Sequence, residues 1–156
     1  MNGFQGVIPG IVKSLDDPEG MGRIQVYFPR LPGENRSFWA SVAAPMAGKE
    51  RGFFFQPERE DEVLVAFDEG DPQHPYIVGF LWNGEDLPPE SNMQNRVLVT
   101  PGGHTIRFED TAGSRKIVIR SSSGLTITLD DADKPSIELR GGGRILALRQ
   151  GKVEIS

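Results

Sequence analysis

Apolar residues recur at alternate positions along most of this chain and almost nowhere at the three- and four-residue spacing of an amphipathic helix. Over residues 22–28 the alternation places Ile24, Val26 and Phe28 on one face, and over 62–68 it places Val63, Val65 and Phe67 on one face. Residues 6–12, 37–44 and 76–82 read as further strands, and 52–56 as a short one. Turn-forming clusters at 16–20, 57–61 and 70–72 separate them. Five or six short, evenly spaced strands within about 80 residues predict a small closed barrel. In a strand at 52–56, Phe53 and Phe55 point one way and Phe54 the other. Large aromatic rings are usually buried, so these three are expected in the barrel core.

The polar stretch 84–95, with Gly84, Pro88, Pro89 and Ser91, reads as a linker between a barrel at 1–83 and a second region at 96–156. That region repeats. Strands at 96–99, 116–119 and 136–139 start 20 residues apart, and each is followed by a glycine-bearing turn and a second strand, at 105–108, 125–129 and 144–148. A last strand spans 152–155. Each strand carries one apolar row, and the repeat supplies no second layer. A single copy leaves open edges and a wet apolar face. Three copies wound about one axis would cover the rows and pair the edges, so the pattern predicts a homotrimer. The residues assigned to its core are Val97, Ile117, Ile119, Ile127, Leu129, Ile137 and Leu139.

Composition narrows the chemistry. The 19 glycines and 12 prolines fit many turns, and apolar content is only 37%. With no cysteine, disulfides and thiolate metal sites are excluded. The first ten residues have neither a basic nor a long apolar run, and no segment approaches the ~20 apolar residues that span a bilayer, so synthesis in the cytoplasm is expected. Residues 1–93 carry a net −8 and residues 94–156 a net +3. An acidic barrel argues against binding nucleic acid, which needs clustered cations. The two histidines, His74 and His104, sit in turns without metal-ligand spacing. Gly48-Lys49 fails as a phosphate loop, because position 43 is Ala and position 50 is Glu. The acid pairs Asp16/Asp17, Asp61/Glu62 and Asp130/Asp131 flank turns, and neighbours on a strand face opposite ways. No catalytic, cofactor-binding or metal-binding residue is assigned, and an enzyme is not expected.

The order of motifs resembles a known family. Gly10-Ile11-Val12, Asp17-Pro18-Glu19-Gly20-Met21-Gly22-Arg23-Ile24 and Phe28-Pro29 are similar to the first barrel hairpin of contractile-injection spike proteins. These are the phage baseplate assembly protein V and the valine-glycine repeat protein G (VgrG) of type VI secretion. The resemblance runs on through Trp39-Ala40-Ser41-Val42, Gly52-Phe53-Phe54-Phe55-Gln56-Pro57, Gly70-Asp71-Pro72, Gly103-His104-Thr105-Ile106 and Gly124-Leu125-Thr126-Ile127.

That resemblance implies an all-β chain: an oligonucleotide/oligosaccharide-binding (OB) type barrel followed by an intertwined trimeric β-helix or β-prism. It implies a structural spike, part of a phage tail or injection particle, that links the hub and inner tube to a tip and meets membranes only by piercing them. The chain starts close to its first strand, so a separate hub protein is expected. It ends without a His-x-His iron motif, so a separate PAAR-type tip protein is expected to dock on Val153, Ile155 and Ser156. The alternative is a sugar- or nucleic-acid-binding barrel on an oligomerising stalk.

Overall fold

The structure, a computed structural model, describes residues 6–31 and 37–156. Of the predicted barrel at 1–83, residues 1–5 and 32–36 therefore lie outside the described residues. The chain forms two compact units, Met1–Leu87 and Pro88–Ser156.

In the first unit the strands are β1 (Val7–Ser14), β2 (Ile24–Tyr27), β3 (Ser37–Val42), β4 (Ala47–Gly48), β5 (Arg51–Gly52), β6 (Glu62–Phe67) and β7 (Pro75–Leu81). Five of them close into a barrel in the order β1-β2-β3-β7-β6. All its pairings are antiparallel except β3 with β7, where Ser41 faces Tyr76 and Val42 faces Ile77 in parallel. The alternation read from the sequence is realised: Ile24, Val26 and Phe28 from one side and Val63, Val65 and Phe67 from another meet Val12, Ala40 and Ile77 in one buried cluster. Phe28 anchors it, with its ring 5.5 Å from Phe67 and 6.2 Å from Phe38. β1 passes so close to β2 that a Cβ on Gly10 would lie 2.4 Å from Val26 Cγ1 and 3.1 Å from the Phe28 ring. Only glycine fits there without moving the core.

The β1–β2 connection is fixed by one carboxylate. Asp17 accepts from the Arg23 guanidinium at 2.8 and 3.1 Å and from the backbone N–H groups of Glu19, Met21 and Arg23. The Arg23 hydrogen bonds, with help from those amides, hold the Asp17 carboxyl well below the usual carboxylate range. Arg23 also lies over the Trp39 ring at 5.9 Å.

One expectation fails here. Residues 53–56 form no strand, and Phe53, Phe54 and Phe55 are not in the core; they are 53%, 81% and 53% exposed. The reason is topological. β4 and β5 pair only with each other, as a two-residue hairpin outside the barrel ladder. The residues that follow have no barrel strand to pair with, so alternation there has no wall to line.

In the second unit β8 (Arg96–Val99), β9 (Thr105–Glu109), β10 (Lys116–Arg120), β11 (Thr126–Asp130), β12 (Ser136–Gly141), β13 (Arg144–Arg149) and β14 (Lys152–Ile155) form one seven-stranded sheet. Each strand pairs antiparallel with its neighbours in sequence. The 20-residue period is thus a hairpin repeat, turned at positions such as Gly124, whose φ of +90° suits a residue without a Cβ. The chain is all-β with a closed barrel, as the sequence implies, but the intertwined β-helix or prism is not formed within it; one chain gives an open meander.

Part of the stretch read as a linker is tied to this sheet. Glu90 accepts from the backbone N–H of Asn92, from Asn95 Nδ2 and from the Arg107 guanidinium on β9. The Asn92 amide first, then the Asn95 side chain and the Arg107 charge, lower the Glu90 carboxyl pKa.

Candidate assembly interface

The sheet registers place the apolar residues of the second unit in two continuous cross-strand rows on one face. One row runs Leu98–Ile106–Ile119–Ile127–Leu139–Leu146–Ile155 across β8 to β14. The other runs Phe108–Ile117–Leu129–Ile137–Leu148–Val153 across β9 to β14. Directly opposite residues in antiparallel strands share a face and sit with Cβ atoms about 4.5–5.5 Å apart, so each row is a single packed ridge. Nothing in this unit covers it. Ile106, Phe108, Ile119, Ile127, Leu129, Ile137, Leu139, Leu146 and Leu148 are 37–45% exposed, and Val153 and Ile155 on the last strand 66% and 75%. The first row lines a shallow apolar depression of about 670 Å³ between β10 and β14, flanked by Leu125.

The opposite face is polar and, within this unit, the more enclosed of the two, with Ala147 only 2% exposed. Its central row is Val97–Arg107–Val118–Thr128–Glu138–Ala147–Glu154. Glu138 is held between the guanidinium groups of Arg140 and Arg149, and these two, Arg140 foremost, lower its pKa. Glu109 forms ion pairs with Arg107 and Lys116, at 3.3 Å each. A sheet with one charged face and one continuous apolar face needs a second layer on the apolar side.

Six of the seven residues assigned to a trimer core from the sequence lie on the apolar face: Ile117, Leu129 and Ile137 in one row, Ile119, Ile127 and Leu139 in the other. Val97 does not. It sits opposite Arg107 on the charged face, and Leu98 takes the place in the row. Val99 pairing with Thr105 across the turn fixes this phase. Both Val-Leu-Val frames alternate equally well in sequence, so only the turn register separates them. Sequence reasoning also passed over Ile106, Phe108, Leu146 and Leu148, whose alternation was visible but whose face was not.

Of the residues assigned to a tip contact, Val153 and Ile155 end the two rows. Ser156 exchanges backbone hydrogen bonds with Ile145, at 2.8 and 3.0 Å. In an antiparallel ladder this makes 145–156 a hydrogen-bonded pair, so the backbone groups of Ile155 and Val153 point away from β13 to the open edge.

Both histidines sit in hydrogen-bonded turns. His74 Nδ1 lies 2.9 Å from Asp71 Oδ2 on an exposed turn, and Gln73 N–H donates to the same carboxylate; the Gln73 amide, then His74, lower its pKa. His104 Nδ1 accepts from Ser122 N–H at 3.2 Å. Among the described residues no group of three or more His, Cys, Asp or Glu could hold a metal ion, and no helix is long and apolar enough to cross a membrane.

Comparison with known proteins gives the class of this barrel and one-sided sheet. Residues 8–82 match the type VI secretion system/phage-baseplate injector OB domain, and residues 95–156 match the phage baseplate V C-terminal trimerisation domain. The chain belongs to this phage baseplate V and VgrG spike family. The type VI secretion system spike protein VgrG5 of Pseudomonas aeruginosa is 34% identical over 116 residues, 67% of this chain and 15% of that protein. VgrG1b of the same organism is 32% identical over 125 residues, 70% of this chain and 17% of the relative. The actin cross-linking toxin VgrG1 of Vibrio cholerae is 31% identical over 112 residues, 64% of this chain and 10% of that protein. The chain thus spans only about a tenth to a sixth of the relatives it matches.

Proposed function

We propose that the chain is a structural spike component of a phage tail or contractile injection particle. In this reading it acts as a homotrimer that links hub and inner tube to a tip and passes through the target envelope mechanically. Its role is structural and not catalytic. The observation that carries this reading is the pair of apolar rows crossing seven strands with no cover within the unit. Contiguous exposed apolar surface on this scale marks an interface. The match to a trimerisation domain supports three copies as the cover.

In a trimer the rows of each sheet pack against the other two, and the residues in the core are Ile117, Ile119, Ile127, Leu129, Ile137 and Leu139 with Leu98. Such a shaft suits load-bearing, because many backbone and apolar contacts must break together. The open edge and bare side chains at Val153 and Ile155 support docking of a PAAR-type tip protein there, by added strand pairing. The decisive experiment is the native mass of the full chain together with particle complementation. A trimer that restores piercing to particles lacking the native chain supports the reading. A monomer at micromolar concentration overturns it.

A further inference from the structure

Among the described residues of the barrel unit, two exposed apolar surfaces differ in charge. The first is the β4–β5 hairpin and the segment after it, where Phe53 and Phe55 stack with centroids 6.2 Å apart and Phe54 is 81% exposed. Lys49 and Arg51 flank Glu50 in this hairpin. The Arg51 guanidinium lies over Gly48, within about 3.1 Å of where a Cβ would stand. The second is a groove of about 590 Å³ at the end of β7, lined by the apolar Phe80, Trp82 and Leu87 and by Asp61, Glu62, Glu85 and Asp86. The two surfaces share no residue.

We propose that the groove receives the Phe53–Phe55 hairpin of a second copy of this chain, so that the barrels close a ring of three hairpin-in-groove contacts. This rests on the trimer reading above. A head-to-tail contact between two different patches closes on itself only in a cyclic assembly, and a threefold axis repeats it three times. Charge complementarity selects the occupant: four carboxylates line the groove, and the hairpin leading into the rings carries Lys49 and Arg51 against the single acid Glu50. The groove volume lies within the roughly 300–1,000 Å³ of ordinary ligand pockets, enough for aromatic side chains. Trp82, 67% exposed in the groove lining, is the best ring there for a cation–π contact with an entering Arg51 or Lys49. Aromatic and arginine side chains in such pockets dominate interface energetics.

The chain has no cysteine, so engineered pairs report without background. In the full chain, Phe54→Cys combined with Trp82→Cys should oxidise to a ladder ending at a covalent trimer. A control combining Phe54→Cys with Val7→Cys, exposed on the barrel outside the groove, should not. Adding Lys49→Glu and Arg51→Glu should slow cross-linking by about tenfold or more, and Glu62→Lys with Glu85→Lys should restore it. Native mass is read on every sample. A trimeric mass with cross-linking no faster than the Val7 control overturns the hairpin contact and leaves the trimer standing. A monomeric mass overturns both.

Discussion

Ile127 lies at the middle of one apolar row, between Ile119 on β10 and Leu139 on β12. Fully burying an isoleucine side chain contributes about 1.5–3 kcal/mol. In the single chain Ile127 is 38% exposed, so assembly has roughly two-fifths of that burial left to gain, about 0.6–1.1 kcal/mol per copy. Three copies bring this to about 1.7–3.4 kcal/mol per trimer, which corresponds to a roughly 20- to 300-fold weaker trimer for Ile127→Ala. Ile127→Asp goes further. It places a carboxylate with no partner among apolar side chains, and its desolvation exceeds what the row supplies. The expected result is a chain that stays monomeric or aggregates. Thr128→Lys is the matched control, because Thr128 points to the charged face opposite Glu138. Dilution series by native mass spectrometry or light scattering read the trimer, and circular dichroism reads the fold. An Ile127→Asp chain that forms trimers as stable as the unmodified ones would refute the assignment of this face.

Three further outcomes follow from the same geometry. Leu98→Asp should break the trimer and Val97→Asp should leave it intact by native mass, because the β8–β9 register puts them on opposite faces. Gly10→Ala should destabilise the barrel by about 1–3 kcal/mol through overpacking against Val26, lowering the barrel melting temperature by several degrees while native mass stays unchanged. Asp17 has a folded pKa below its unfolded value of about 3.9. Its contribution to stability is therefore present above pH 4 and lost as pH falls toward the folded value. Melting curves between about pH 5 and pH 2 should fall less steeply for Asp17→Asn than for the unmodified chain, and equal slopes would count against the Asp17–Arg23 account.

Much of the barrel was legible because a half-buried strand writes its fold into period two. Ile24, Val26 and Phe28, and Val63, Val65 and Phe67, face the core as their spacing predicts. The Phe53–Phe55 stretch misled for a definite reason. Aromatic residues mark buried wall or exposed anchor with the same letters, and only pairing tells them apart. β5 pairs with β4 and with no barrel strand, so these rings were left outside. The linker reading of 84–95 missed Glu90 because its anchor, Arg107, lies 17 residues away and carries no local signal.

The division for the second unit is sharper. The 20-residue repeat, the turns, and the existence of an apolar face with nothing to cover it are properties of the sequence alone, since alternation and turn residues act over a few positions. Which residues share that face was decided by register. Val97 and Leu98 compete equally for the row until the β8–β9 turn pairs Val99 with Thr105. A one-residue shift moves every side chain of a strand to the other side of the sheet. Local pattern sets what each strand must bury; only the pairing of strands distant in sequence sets where it buries it.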